Sequence, residues 1–375
     1  MVHQYWLLAL PLLVLDAAQG VVATHGKHAS KSNPSPPGLH VLPLIADNSD
    51  DYNSWITEVA AGTPPQKMRL NLDIAKSTTW FISDKTYADC DGCTNGYYQL
   101  NKSKTSSPVL GHTAISYGDP TTYPPSNLTF DLDYQKDTVQ IAGVSIPKQV
   151  FGLFNPYKDE FSGIGALALG PNVEHGYAPG KIYSSFLDNL VANKKIASRT
   201  YSIDLHQHGS KPGLSQTVPS GKNKSGKVTS YPVHKNDSVF LLDSSNQYLR
   251  FRHSFVDPLY KTLGAVNNGQ DAYFVPCEKR NMPGSWDFQF GDVTIKIPYS
   301  KIITDQSGDK GKTCWVGVLT TWKGQLVLGQ PFLEAAYLAF DLDNKQVALA
   351  PPANCGEKLV AFGSGPNAIP NLKGC

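Results

Sequence analysis

Two aspartates, Asp73 and Asp243, are the residues of this sequence whose type and setting are best suited to chemistry. Each follows a largely apolar stretch, 70–72 or 240–242, and precedes small or polar residues. Such stretches are typical of strands, so each carboxylate is expected at a strand end. Two carboxylates that meet are suited to acid–base chemistry, because one can hold a proton while the other is ionised. The alternative interpretation is that each acid only caps a turn.

The surroundings of the two aspartates are similar, which indicates an internal duplication. In the first half, the acid-bearing stretch is followed by an apolar and small segment at 162–167. In the second half, the segment 326–329 (Leu-Val-Leu-Gly) stands in the corresponding place. Two β lobes of similar topology would bring Asp73 and Asp243 face to face on a pseudo-twofold axis.

Length and composition agree with two lobes built mainly of strands. The chain has 375 residues, which is enough for two domains with separate cores. Its 27 prolines, 32 glycines, 18 tyrosines and 15 phenylalanines favour short strands and turns over helices. We therefore predict an all-β fold with a few short helices, at 182–194 and 255–263. The net charge of +2 gives no reason to expect a nucleic-acid partner.

The N-terminal segment predicts export. Residues 5–15 form an apolar run that is too short to span a bilayer, and small residues follow near Gly20 and Ala23. This pattern indicates a signal peptide and a secreted, extracellular protein, and a transmembrane anchor is the alternative interpretation. The sequence contains no second long apolar segment, so no membrane association is expected.

The composition along the chain divides it into five segments. Residues 1–20 are expected to be the signal peptide, 21–45 a short flexible arm or propeptide, and 46–200 the N-terminal β lobe. Residues 201–356 are expected to form the C-terminal β lobe, and 357–375 a tail.

The six cysteines and four glycosylation sequons fit an exported protein. Sequence neighbourhood suggests the disulfides Cys90–Cys93, Cys277–Cys314 and Cys355–Cys375. The Cys90–Cys93 pair has two other interpretations, a redox motif or half of a zinc site, although neither a second such motif nor a paired histidine cluster accompanies it. The sequons are at Asn101, Asn127, Asn223 and Asn236.

Several short motifs in a fixed order carry a family resemblance. They are Gly62-Thr63-Pro64-Pro65-Gln66, Asp73 with Trp80 seven residues later, Ser116-Tyr117-Gly118, Asp243, Leu328-Gly329, Phe340-Asp341 and the segment 347–351. Together they resemble the pepsin family of aspartic proteases, over essentially the whole chain from about Val41 to Cys355.

The resemblance implies a two-lobed pepsin-like fold and a specific division of roles. Asp73 and Asp243 would be the catalytic pair, with Tyr117 and Gly118 in a flap over the cleft and Trp80 beside it. A peptide or protein would bind in the interlobe cleft of a monomer, and no cofactor or metal would be needed. The resemblance also supports Cys277–Cys314 as the disulfide of the C-terminal lobe.

The residues that follow each aspartate depart from the family pattern. Ile74 stands where the family has a threonine and cannot form a hydrogen bond through its side chain, whereas Ser244 keeps a hydroxyl in the other lobe. Ala75 and Ser245 occupy positions where the family has glycine. We therefore expect a lopsided hydrogen-bond frame around the pair.

Lys76 replaces a family serine, and its position has two interpretations. A cation beside the aspartates would favour their fully ionised form and oppose the shared proton. The alternative is that Lys76 points to solvent.

Three functions follow from this combination of retained acids and altered neighbours. The first is a secreted protease homologue with weak or no ordinary endopeptidase activity and a cleft that binds a peptide or another ligand. The second is an active endopeptidase at acid pH. The third is an enzyme whose carboxylates act on a non-peptide substrate.

Overall fold

The computed structural model describes residues 21–25, 38–47, 54–83, 95–117, 128–155, 164–171, 183–205, 239–269, 272–305, 312–321, 324–352 and 359–370. Strands dominate these residues and the helices are few and short, which confirms the expected all-β fold with a few short helices. None of the helices in these ranges has the length and apolar character needed to cross a membrane.

The described residues of the first half of the chain form ten strands and one short helix. They are β1 (Val21–His25), β2 (His40–Asp47), β3 (Ser54–Ala61), β4 (Gln66–Asp73), β5 (Trp80–Ile82), β6 (Ser107–Tyr117), β7 (Leu128–Ile141), β8 (Val144–Phe154), β9 (Gly165–Ala168), α1 (Phe186–Ala192) and β10 (Thr200–Asp204), with a 3₁₀ helix at Leu100–Lys102.

The described residues of the second half form twelve strands and three short helices. They are β11 (Phe240–Leu242), β12 (Leu249–Phe251), α2 (His253–Leu263), β13 (Val266–Asn267), β14 (Tyr273–Pro276), β15 (Ser285–Phe290), β16 (Val293–Pro298), α3 (Tyr299–Ile302), β17 (Ile303–Thr304), β18 (Thr313–Val316), β19 (Val318–Thr320), β20 (Leu326–Leu328), α4 (Gln330–Leu333), β21 (Tyr337–Asp341) and β22 (Gln346–Ala350), with a 3₁₀ helix at Cys277–Asn281.

The N-terminal lobe is a rolled sheet with a buried interior. Its strands run in the order β3-β4-β9-β5-β8-β7, and a further pairing between β3 and β7 closes the roll. Strand β4 shows why the sequence folds this way, because Met68, Leu70 and Leu72 are buried while the intervening Lys67 and Arg69 are exposed. Alternate side chains of a strand face opposite sides, so this pattern buries one side of the sheet.

The C-terminal lobe consists of smaller sheets. Strands β11-β20-β12-β19 form the sheet next to Asp243, β13-β14-β18-β17 form a second, and β15-β16 form a hairpin. The disulfide Cys277–Cys314 joins the 3₁₀ helix of this lobe to β18, as the sequence predicts.

A shared sheet, formed by β22, β21, β10, β1 and β2, connects the two halves of the chain. Here the structure differs from the flexible arm expected for residues 21–45. Strand β1 pairs in parallel with both β10 and β2, so that Val21 lies opposite Tyr201 and His40. The two strand segments within 21–45 are therefore not flexible, and the propeptide stays a prediction. Strand β1 is held by β10, a partner from a distant part of the chain that local composition does not reveal.

Candidate active site

The two aspartates stand at equivalent places in the two lobes. Asp73 is the last residue of β4, and the residue before it lies opposite Leu167 of the parallel strand β9. Asp243 directly follows β11, and the residue before it lies opposite Leu328 of the parallel strand β20. Asp73 is fully buried and Asp243 is partly buried.

Two glycines allow the chain to pass close to the loops that follow the acids. A Cβ atom on Gly170 would lie 2.6 Å from the carbonyl oxygen of Lys76. A Cβ atom on Gly329 would lie 2.2 Å from the carbonyl oxygen of Tyr248. Contacts this short are not tolerated, so only glycine permits these approaches.

One serine hydroxyl connects the two acid-bearing loops. The backbone N–H of Ile74 donates to Ser244 Oγ over 3.1 Å, and the same hydroxyl donates to the carbonyl oxygen of Leu72 over 2.6 Å. Gln330 Nε2 donates to the carbonyl oxygen of Ser244 over 3.1 Å. The side chain of Ile74 is buried and offers no equivalent hydroxyl. The side-chain bridge between the loops is therefore made from the Ser244 side.

Asp73 receives hydrogen bonds at both carboxylate oxygens. The backbone N–H groups of Ala75 and Lys76 donate to Oδ1 over 2.9 Å and 3.0 Å. The Tyr117 hydroxyl donates to Oδ2 over 3.0 Å and accepts a hydrogen bond from Trp80 Nε1 over 3.1 Å. A hydroxyl from the end of strand β6 thus reaches Asp73, although the residues directly after Asp73 offer none.

Asp243 accepts a hydroxyl hydrogen bond from a residue close to it in the chain. The backbone N–H of Ser245 donates to Asp243 Oδ1 over 3.0 Å, and the Ser245 hydroxyl donates to the same oxygen over 2.6 Å. Ser245, which stands where the family has glycine, thereby supplies both donors. Each carboxylate accordingly has a backbone donor and a hydroxyl donor, which local sequence reading missed.

Lys76 faces the site. Its side chain is partly buried, and Nζ lies 5.8 Å from the centroid of the Tyr117 ring, a cation–π distance. Its charge also lowers the pKa of Asp243. Of the two interpretations of Lys76, the structure favours the one that places it beside the aspartates.

Burial is the main reason that both carboxyl groups bind protons tightly. Desolvation and then the charge of Asp243 raise the pKa of Asp73 from 3.8 to about 7, against the hydrogen bonds that Asp73 accepts. Desolvation also raises the pKa of Asp243, against the hydrogen bonds from Ser245 and the charges of Lys76 and Arg250. A pair of this kind can hold one proton under acidic conditions while one member stays ionised.

Aromatic side chains hold the Tyr117–Trp80 pair in place. The Phe130 ring stacks on Trp80 at 5.3 Å between centroids and meets Tyr117 edge-on at 5.8 Å. Phe154 meets Trp80 edge-on at 5.9 Å. Sequence reading does not single out Phe130 or Phe154, because only the pairing of β7 and β8 brings them together.

Several residues that the sequence singles out lie away from this site or outside the described residues. Asn101 is exposed on the 3₁₀ helix Leu100–Lys102. Among the described residues, one group of metal-type ligands occurs, Cys277, Asp305 and Cys314, and its two sulfur atoms are joined in the disulfide. The following predictions lie outside the described residues: Gly118, Cys90–Cys93, Cys355–Cys375, Asn127, Asn223, Asn236 and the signal peptide at 1–20.

Comparison with known proteins gives consistent matches over most of the chain. Residues 54–240 and 218–352 match the family model described as eukaryotic aspartyl protease. An acid protease of Saccharomycopsis fibuligera is 25% identical over 338 residues, which cover 80% of this chain and 81% of that protein. Rhizopuspepsin-1 of Rhizopus niveus is 25% identical over 342 residues, covering 84% and 82%. Gastricsin of Mus musculus is 26% identical over 339 residues, covering 80% and 81%.

Proposed function

Because this chain belongs to the eukaryotic aspartyl protease family, the pepsin family, we propose that it is an acid endopeptidase of low turnover. The observation that carries the proposal is the pair Asp73 and Asp243, each of which accepts a backbone and a hydroxyl hydrogen bond. These donors replace the ones that the altered motifs lack. These hydrogen bonds support our proposal that the pair can share a proton.

The proposed hydrolysis of the peptide bond proceeds in two steps. One aspartate, ionised, takes a proton from a water whose oxygen bonds to the peptide carbonyl carbon, while the other aspartate gives its proton to the carbonyl oxygen. In the second step the carbon–nitrogen bond breaks, and the leaving nitrogen takes the proton held by the first aspartate. A hydroxyl of the tetrahedral intermediate returns its proton to the second aspartate, which restores the starting state of the pair.

Two features of the site account for the low turnover. The Tyr117 hydroxyl donates to Asp73 Oδ2, one of the oxygens that would exchange protons with substrate. Because Asp73, with a pKa of about 7, is protonated under acidic conditions, breaking this hydrogen bond costs about 0.5–1.5 kcal/mol, which corresponds to roughly a twofold to tenfold loss of rate. In addition, the loop of Asp73 lacks the second bridging hydroxyl, because Ile74 stands in its place.

A second candidate function is peptide binding without turnover. The same Tyr117–Asp73 hydrogen bond favours it, because a tyrosine held on the carboxylate keeps that oxygen from the substrate. The cleft would then bind an extended peptide in the manner of an inhibitor complex.

The proposal also places the protein outside the cell, acting as a monomer on a peptide or protein substrate. Two observations support the location: the apolar run at 5–15 followed by small residues, and the disulfide Cys277–Cys314. Disulfides persist in oxidising compartments and are rare in the cytosol.

A cleavage assay tests the two candidates. Purified protein is incubated with denatured casein from about pH 3 to about pH 8, with and without a statine-type inhibitor, beside an Asp73→Asn variant. We expect slow, inhibitor-sensitive cleavage that disappears in Asp73→Asn and declines as the pH rises through about 7, where Asp73 loses its proton. Asp131→Asn removes an exposed carboxyl on β7 and serves as the matched control.

The outcomes separate the candidates. Cleavage by the wild type and by Asp131→Asn, but not by Asp73→Asn, supports the endopeptidase. Inhibitor binding without cleavage at any pH supports the peptide-binding protein. Neither cleavage nor inhibitor binding contradicts both.

A further inference from the structure

Arg250 occupies the place in the C-terminal lobe that Trp80 occupies in the N-terminal lobe. Trp80 follows Asp73 by seven residues, and Arg250 follows Asp243 by seven residues. Trp80 lies on β5, which pairs antiparallel with β9, and Arg250 lies on β12, which pairs antiparallel with β20. Strands β9 and β20 are the parallel partners of the acid-bearing strands β4 and β11. The cross-strand pairs are Trp80–Ala166 and Arg250–Val327.

The equivalence extends to the neighbouring strands and to burial. Strand β5 pairs in parallel with β8, and β12 pairs in parallel with β19. Trp80 is 2% exposed and Arg250 is 6% exposed. Leu249 and Phe251, on either side of Arg250, are fully buried in the core, so the Arg250 side chain projects from the opposite side of the strand.

The equivalent position in the N-terminal lobe acts on its aspartate. Trp80 donates to the Tyr117 hydroxyl, and that hydroxyl donates to Asp73. In the C-terminal lobe the same position carries a permanent positive charge instead of an indole, since a guanidinium does not lose its proton in proteins. The position seven residues after the aspartate therefore acts on Asp73 through a chain of hydrogen bonds and on Asp243 through a charge.

We propose that Arg250 is a positioning residue that keeps Asp243 as the ionised member of the pair. Asp243 then takes the proton from the attacking water, and Asp73 is the acid that protonates the peptide carbonyl oxygen. This role rests on the proposed acid endopeptidase function, but the ionisation that it describes is a property of the folded protein.

The groups around the two acids support this division. Burial raises the pKa of Asp243, and the hydrogen bonds from Ser245 and the charges of Lys76 and Arg250 lower it. The charge of Asp243 raises the pKa of Asp73, and the Tyr117 hydroxyl donates to Asp73 Oδ2 over 3.0 Å. Both cations thus act on Asp243, and the proton is favoured on Asp73.

The pH dependence of cleavage tests the role of Arg250. In Arg250→Gln, the loss of the cation raises the pKa of Asp243, so the acidic limb of kcat/KM moves to higher pH, by about one pH unit. Arg250→Lys keeps the charge and is expected to restore most of the wild-type profile. Arg252→Gln is the matched control, because Arg252 donates to the carbonyl oxygen of Gly324 over 3.0 Å and is a neighbouring cation of the same segment.

A second measurement tests the role of Arg250 even if the protein cleaves no substrate. Melting temperatures of the wild type, Arg250→Gln, Asp243→Asn and the double variant give the coupling between the two residues as a function of pH. We expect a favourable coupling that disappears as the pH falls and Asp243 becomes protonated. Arg250→Met, which keeps a long apolar side chain, replaces Arg250→Gln if the latter does not fold.

The results separate this role from the proposed function. A wild type that cleaves nothing contradicts the endopeptidase, and the coupling still decides whether Arg250 keeps Asp243 ionised. A coupling that is absent or independent of pH overturns the role of Arg250. So does a pH profile that is unchanged in Arg250→Gln, or one that shifts equally in Arg252→Gln.

Discussion

At the scale of single residues, the site replaces missing donors with donors from other positions. The family places hydroxyls directly after its aspartates, whereas here Tyr117 reaches Asp73 from strand β6 and Ser245 reaches Asp243 from two residues away. A hydrogen bond depends on where the donor lies in space and not on its position in a motif. Altered motifs are therefore weak evidence that a carboxylate pair has lost its chemistry.

The raised pKa of Asp73 predicts a specific dependence of stability on pH. The folded protein binds this proton with a pKa of about 7, against 3.8 for an aspartate in the unfolded chain, so the native state holds more protons than the unfolded state between these values. The contribution is fully present below about pH 4 and is lost as the pH rises through about 7. Its upper limit is about 4 kcal/mol.

The Asp73→Asn variant isolates this contribution. We expect the difference in unfolding free energy between wild type and variant to move against the wild type between about pH 4 and about pH 8, as measured by urea unfolding. Asp131→Asn, which removes an exposed carboxyl, controls for the change in net charge. Parallel pH profiles of wild type and Asp73→Asn would rule out a raised pKa.

At the scale of elements, a buried carboxylate fastens a loop to the strand that carries the flap. Asp137 of β7 is buried and accepts hydrogen bonds from Tyr98 over 2.5 Å, Ser103 over 2.6 Å and Thr138 N–H over 2.7 Å, as well as from Thr105. Burial alone would raise the pKa of Asp137, and these hydrogen bonds outweigh it and lower the pKa. The loop thus supports the base of the β6–β7 hairpin, whose end carries Tyr117.

Asp137→Asn is expected to destabilise the protein by about 2–3 kcal/mol, because an amide nitrogen would face hydroxyl donors in a buried site. The lowered pKa gives this contribution the opposite pH dependence to that of Asp73. It is present above the unfolded pKa of 3.8 and is lost as the pH falls through the lower folded value. Thermal unfolding at several pH values measures it, and an Asn variant as stable as the wild type near pH 7 would refute the fastening role.

At the scale of the whole molecule, a shared sheet and a serine hydroxyl are among the connections between the lobes in the described residues. The shared sheet β22-β21-β10-β1-β2 provides one through backbone hydrogen bonds. The Ser244 hydroxyl provides a second, directly beneath the aspartates. The second connection sets how the two acids face each other, so its loss should affect both stability and binding in the cleft.

Ser244→Ala is expected to cost about 2–4 kcal/mol of unfolding free energy, because it leaves the buried N–H of Ile74 and the carbonyl of Leu72 without this partner. It should also weaken binding of a statine-type inhibitor at least tenfold, measured by calorimetry. Ser244→Thr keeps the hydroxyl and is the matched control. An alanine variant that matches the threonine variant in both measurements would contradict the bridging role.

The sequence by itself determined the fold class, the disulfide Cys277–Cys314 and the two aspartates as the centre of interest. It did so because strand periodicity, turn residues and the order of the motifs are local patterns that survive at low identity. The duplication in the sequence also predicts that the strands before Asp73 and Asp243 have equivalent partners, which are β9 and β20.

Only the tertiary structure decided which donors reach the carboxylates, where Lys76 lies and that Arg250 is the equivalent of Trp80. It also showed that residues 21–25 form a strand paired with β10 and β2. These features depend on contacts between segments far apart in the chain, such as Tyr117 with Asp73 and Ser244 with Leu72. Local sequence patterns carry no record of such distances, because packing of the two lobes brings the groups together.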